Sequence, residues 1–597
     1  MKHKILLFTV ITVIITIVSC KKSIDQFLDK APGVDVNEDV VFSTRLGVES
    51  EVSTMYYFGM VSIFPCRDAA ILASPTGTST NLQGTLAGAT DESEASANFS
   101  YVQNINSGGI TPSSVISGED TRYYGRFKAI RYANILLERI DAVPDPLVTD
   151  DYKKQVKGEA RFIRALSHFE TLKRYGGIPI IKKRFATGVE ANIPRSSFAD
   201  CIDFIAKDLD TAANLLPYTY TTSQKGRATK MAALALKSRL LLYAASPLFN
   251  TATPYISMAD PANNKLICYG NYDQNRWNMA AAAAKDAIDA AAPSNVALID
   301  INARLNRNPT DAQLLQGNYR VAWELQDNTE VIIADKSYGK LSQFNFPWYH
   351  LVPSVFNSFF TANTALLNLV SKYEDTLGKP VTWDPAGAND LVAKYNSLDK
   401  RFKQTMAYNG GRWNATYPII ETFQGGAHAS LCFGGSWVVK HVPDALGNGG
   451  SAVPSIAYLR LNEIYLNYAE ALSESVGGNI TEATDYVNRI RVRSGQPAIP
   501  ILALPLLKDK IRNERVIELA YEDHRFWDIR RWMIAEQDGV MKGNMMGLTI
   551  TKLTPTTFRY VPYVIETRTF NRQFYLHPFD QNEILKSNGV LIQNPGW

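Results

Sequence analysis

Cysteine is scarce in this chain and never clustered. Its five residues (Cys20, Cys66, Cys201, Cys268 and Cys432) are widely spaced and none forms a CxxC pair, which removes thiol-redox and structural zinc motifs from the reading. The seven histidines include no HExxH and no close pair, so no metal site is expected. Nucleotide and hydrolase signatures are missing too: there is no GxxxxGK[ST], no GxGxxG and no GxSxG. No cofactor and no catalytic residue is therefore assigned. An excess of one charge is also lacking. The 62 Lys and Arg residues, less Lys2 and Lys4 of the leader described next, leave 60 against 58 acidic ones. That balance gives no support for nucleic-acid binding.

Only one long apolar run is present. Ile5 to Val18 carry no charge and follow Lys2 and Lys4. At about 1.5 Å rise per residue they are too few to span a bilayer, so residues 1–19 read as a signal peptide. The run closes on Ile17-Val18-Ser19-Cys20, which resembles a lipobox, with Cys20 as the lipidated first residue of the mature chain. Several acyl chains on one cysteine make a stable anchor where a single chain is marginal. The other four cysteines allow two disulfides, whose pairing the spacing does not reveal.

What the chain has in quantity is helical periodicity, in two blocks. The first, within 121–294, holds patterned stretches at 121–140, 152–175, 197–215, 229–245 and 276–291; the second, within 458–535, holds 458–473, 481–494 and 507–532. Alanine at 232, 233, 235 and 280–284 permits close helix crossings. Paired helices of this length predict a mainly α, tetratricopeptide-like scaffold of about four irregular pairs. The densest stretch is Ile511–Trp532, IRNERVIELAYEDHRFWDIRRW. It reads as one helix, with Arg512, Arg515 and Arg525 set three or four residues from Glu514, Glu518, Glu522 and Asp528. Such a helix is expected to be partly buried and to lock layers together.

Residues 20–120 read as a tether and polar loops, 295–457 as a loop-rich lobe, and 536–597 as a tail packed on the body. Loop-rich stretches this long are usually functional.

The RNER…E…E..RFWD..RW pattern resembles the SusD/RagB family of outer-membrane nutrient-uptake lipoproteins. So do Glu159-Ala160-Arg161-Phe162-Ile163-Arg164-Ala165 with Tyr175-Gly176-Gly177-Ile178-Pro179, and Tyr458 to Glu463 with Tyr468-Ala469-Glu470-Ala471. The closing Gln593-Asn594-Pro595-Gly596-Trp597 agrees as well. The resemblance implies a SusD-like fold in which an irregular lobe beside the helices carries a glycan site. It also implies a surface-exposed lipoprotein of the outer membrane that passes oligosaccharides to a TonB-dependent β-barrel transporter, over which it sits like a lid. Some relatives serve peptide uptake, so a peptide ligand is the alternative.

A sugar offers an apolar CH face and hydroxyl edges, so its site needs flat aromatic rings beside amide, carboxylate or guanidinium groups. The cluster Asn345, Phe346, Trp348 and Tyr349, together with Asn81 and Asp91 of the early loop, is the candidate ligand-binding set. Trp323, Trp383, Trp413, Tyr417 and Trp437 are further aromatics of the lobe, each more often packed than ligand-facing. Asp91, Glu92 and Glu94 could be imagined as hydrolase carboxylates. They are expected instead to be solvated loop acids.

Overall fold

The computed structural model describes residues 38–60, 63, 86–96, 101–185, 192–301, 317–325, 327–335, 363–441 and 456–597. The scaffold helices are α1 (Arg45–Met60), α2 (Tyr123–Arg139), α3 (Asp150–Tyr175), α4 (Phe198–Leu215) and α5 (Lys230–Ala245). They continue with α6 (Asn275–Asp289), α7 (Leu461–Glu474), α8 (Ile480–Arg493), α9 (Leu504–Glu518) and α10 (Arg525–Arg531). Their ends have local causes. Thr149, Ser197, Thr229 and Asn479 stand at N-caps and each accepts a first-turn backbone N–H, worth about 1 kcal/mol apiece. From α1 to α8 each helix packs on the next in sequence. Four consecutive pairs therefore stack, in the number the sequence reading expected, although the first pair includes α1, which that reading did not place. In the α5–α6 pair, Ala232, Ala235, Ala280 and Ala284 are all buried.

A scaffold helix and a hairpin lie in stretches that the sequence reading took as tether and tail. The stretch read as tether contains α1, whose Val48, Val52, Met55 and Gly59 are buried at helical spacing. The stretch read as tail contains a hairpin, β7 (Gly543–Lys552) with β8 (Phe558–Arg568), in which Leu548 and Ile550 pair with Pro562 and Tyr560.

Ile511–Trp532 is not one helix. It breaks after Glu518, and residues 519–524 form a turn before α10. Tyr521 and Asp523 take φ of +61° and +60° there, a region that disfavours side chains with a Cβ. The turn is held because its groups are used: the Tyr521 N–H donates to Glu92 Oε1 at 3.1 Å, and Glu522 accepts from Lys440 and Arg460 at 2.6 and 2.5 Å.

The buried charges of the scaffold satisfy one another between layers. Arg239 of α5 donates to both oxygens of Glu463 on α7 at 2.7 and 2.6 Å. Arg531 of α10 does the same to Glu470, also on α7, at 2.6 and 2.8 Å. Arg164 of α3 reaches Asp208 of α4 at 2.7 and 2.8 Å. Each pair is buried, where removing one partner leaves the other short of its hydrogen bonds.

The lobe is built on short strands: β1 (Ser93–Ala95), β3 (Asn363–Ala365), β4 (Met406–Tyr408) and β5 (Ser436–Val438) form an antiparallel sheet in the order β1-β3-β5-β4. A separate ribbon pairs β2 (Val331–Asp335) with β6 (Ile456–Arg460). The lobe has its own apolar core, in which Leu369, Tyr395, Phe402 and Val438 meet Leu548, Ile550 and Tyr560 of the hairpin and Ile517 and Ala520 from the α9 end. No helix among the described residues is long and apolar enough to cross a membrane. Cys201, Cys268 and Cys432 are free thiols, and Cys66 lies outside the described residues.

Candidate functional site

The sheet joins the two regions in which the candidate residues fall. β1, from the early polar stretch, pairs with β3 of the lobe through Ser93↔Ala365, Glu94↔Thr364 and Ala95↔Asn363. Three acids clamp the early stretch from below. Asp91 accepts both Nε and Nη2 of Arg525 at 2.7 Å, with Lys372 at 3.6 Å. Glu92 takes the Tyr521 N–H, and the Tyr521 hydroxyl donates to the Glu92 carbonyl at 2.9 Å. Glu94 pairs with Arg568 of β8 at 2.7 Å.

This corrects the reading of the acidic trio. Asp91, Glu92 and Glu94 are buried, not solvated, and Asp91 is spent on Arg525 instead of facing a ligand. Their environments differ. Burial raises Asp91, but Arg525 and Lys372 outweigh it and hold the carboxyl below its usual range. Burial pushes Glu92 up to about 8, only partly opposed by the Tyr521 N–H. Burial likewise raises Glu94 to about 8 against the pull of Arg568, with Glu566 adding to the rise, while Glu566 itself is held low chiefly by Arg568 against its own burial. The trio offers an anchor between early stretch, turn and hairpin, not an acid and a nucleophile facing a shared cleft.

The described ends of three stretches meet at one point. The Ile63 N–H donates to Asp335 Oδ2 at 3.1 Å, and Asp335 pairs with Ile456 across the β2–β6 ribbon. Ile63 precedes the stretch carrying Asn81. Asp335 precedes the one carrying Asn345, Phe346, Trp348 and Tyr349, and Ile456 follows 442–455. Ile63 therefore stands beside Asp335, which in turn faces Ile456. Asn81, Asn345, Phe346, Trp348, Tyr349 and the lipidation residue Cys20 lie outside the described residues.

The remaining lobe aromatics divide by burial. Trp323, Trp413 and Trp437 are buried, and the Trp437 indole N–H donates to the His428 carbonyl at 2.8 Å. They are core. Tyr417 is half-buried and stacks on Trp413 with centroids 5.5 Å apart and planes 17° apart. Trp383 packs edge-on to Tyr560 of the hairpin at 5.2 Å. Among the described residues no group of three His, Cys, Asp or Glu is placed to hold a metal ion.

A model of the SusD family matches residues 349–597, and a model described as "Starch-binding associating with outer membrane" matches residues 54–242. A SusD-like protein of Formosa agariphila is 23% identical over 475 residues, covering 77% of this chain and 80% of its own length. A SusD-like protein of Bacteroides fragilis superposes with a TM-score of 0.71 at 24% identity, covering 95% of this chain and all of its own. A structure solved with a xylogluco-oligosaccharide superposes with a TM-score of 0.61 at 16% identity, over 91% of this chain and 97% of the other.

Proposed function

The chain belongs to the SusD/RagB family, and from that premise we propose that it is a non-catalytic lipoprotein of the outer membrane that captures oligosaccharides. It delivers them to a TonB-dependent β-barrel transporter. One observation carries the reading: at the β2–β6 ribbon Ile63, Asp335 and Ile456 stand together, and in sequence Ile63 leads into the stretch bearing Asn81 and Asp335 into the one bearing Asn345–Tyr349. Sugar capture requires aromatic rings and amide groups close together, since stacking and hydroxyl hydrogen bonds gain most when the groups are held in place. The xylogluco-oligosaccharide in a structural neighbour and the outer-membrane wording of the matching family model support the same reading.

The anchor follows from the leader. Lipidation at Cys20, which closes the apolar leader, would hold the body at the membrane surface. The test is uptake of a fluorescent oligosaccharide by cells whose own copy is replaced. Wild type restores uptake, and Cys20→Ala releases the protein from the membrane fraction and abolishes uptake. Full uptake with the released variant would refute the anchored-capture reading.

A further inference from the structure

A second feature of the lobe lies wholly within described residues and plays no part in the frame above. The 422–433 loop runs alongside the β7–β8 hairpin and is tied to it at both ends. The Gln424 N–H donates to the Ile550 carbonyl at 2.8 Å, and the Tyr563 hydroxyl donates to the Phe433 carbonyl at 3.1 Å. Between these ties a cleft of about 530 Å³ opens to solvent, within the roughly 300–1,000 Å³ of small-molecule sites. Its floor is apolar, with Cys432, Leu548 and Ile550 buried. Half-buried rings of Phe433 and Tyr563 form part of its wall, and Gln424, Ser430 and Thr549 bring amide and hydroxyl groups to it. Gly425, at φ +81°, faces open space where a Cβ would stand, which keeps that edge of the mouth clear.

Two properties narrow the occupant. No ionisable acid or base other than the buried Cys432 thiol and the Tyr563 phenol lines the cleft. Burial pushes that thiol far up and the phenol upward, so both stay neutral across the physiological range. A charged ligand would lose its hydration there without gaining a partner. A peptide adding as a strand would need free main-chain groups, yet the Ile550 and Phe433 carbonyls at the cleft are already occupied. What fits is a ring with an apolar face for Phe433 or Tyr563 and uncharged hydroxyls for the amide and alcohol groups.

We propose that the cleft between the 422–433 loop and the β7–β8 hairpin is a binding site for a neutral saccharide, additional to the candidate cluster Asn345–Tyr349. It rests on the saccharide-capture reading and adds a second point of attachment. Two weak sites on one long chain raise avidity through effective concentration, without either being tight.

The test uses the whole chain from Lys21, with xylohexaose, cellohexaose, maltohexaose, a xylogluco-oligosaccharide and, as charged control, an oligogalacturonate. Binding is read by calorimetry and by hydrogen–deuterium exchange over 420–435 and 545–565. At least one neutral oligosaccharide is expected to slow exchange in both segments, and the oligogalacturonate is not. Ser430→Trp, placed on an exposed position, is expected to remove that protection and weaken binding at this site tenfold or more with an unchanged melting curve. Thr549→Trp, from the hairpin side, is expected to do the same. A neutral oligosaccharide that binds with no protection at the cleft, and equally well to both variants, would overturn the second site while leaving saccharide capture standing. Protection by the oligogalacturonate alone would overturn the neutral assignment. Absence of heat and protection with every sugar would overturn both readings.

Discussion

Removing Glu470 tests most sharply how the buried charges hold the scaffold together. Its carboxylate on α7 accepts two bonds from Arg531 and one from the Trp532 indole at 2.8 Å, all out of water. Burial pushes this acid up, but Arg531 outweighs that and holds it at about 2, down from an ordinary 4.5. At 1.36 kcal/mol per pH unit the difference corresponds to about 3 kcal/mol of stability. Its sign follows: the stabilisation is fully present above pH 4.5 and is lost as pH falls toward 2. Glu470→Ala also strands Arg531, whose remaining bonds to Asp528 and Ser246 hold it partly, so the loss should be about 3–5 kcal/mol at pH 7. Arg531→Met in the same chain replaces the stranded charge with an apolar side chain and should recover part of that loss. Urea unfolding of the two single variants and the double, compared at constant slope, gives the coupling. A Glu470→Ala loss below about 1 kcal/mol, or additive single effects, would refute the claim that these pairs act as a unit.

Further outcomes follow from other positions. Glu92 is raised to about 8 by burial, so the folded state holds its proton and stability falls as pH rises from about 4.5 through 8. Glu92→Gln should flatten that slope and be the more stable protein at pH 9, seen in melting curves across pH. Gly176 ends α3 at φ +74°, where a Cβ would lie 2.7 Å from the Leu266 carbonyl; Gly176→Ala should cost at least about 1–3 kcal/mol in the same unfolding assay. Trp437→Ala should cost about 3–5 kcal/mol as a core truncation, read in the same unfolding assay.

The helical scaffold was readable because amphipathic helices repeat their apolar positions at a fixed spacing, and the ends at 150, 198, 230 and 480 follow N-cap residues standing in the sequence. α1 and the β7–β8 hairpin carried comparable signals, in Val48-Val52-Met55 and in the alternation of Leu548 with Ile550 and Phe558 with Tyr560, but lay in stretches taken as tether and tail. The break inside Ile511–Trp532 was hidden for a physical reason. Arg, Glu and Tyr are compatible with helix locally, and only the distant partners Glu92, Lys440 and Arg460 make the turn at Tyr521 and Glu522 worthwhile. The burial of Asp91 has the same origin, since Arg525 lies 434 residues away. At the candidate site, sequence supplied residue types, while the β1–β3 pairing that brings the early stretch to the lobe joins positions about 270 apart and leaves no local trace.

The central claim is sugar capture at the aromatic cluster. It is tested most directly by calorimetry of the chain from Lys21 against plant, host and microbial oligosaccharides, with Trp348→Ala alongside. The account predicts measurable binding to at least one of them, lost or weakened tenfold or more in Trp348→Ala while the melting curve is unchanged. No binding to any oligosaccharide, with binding to peptides instead, would contradict it.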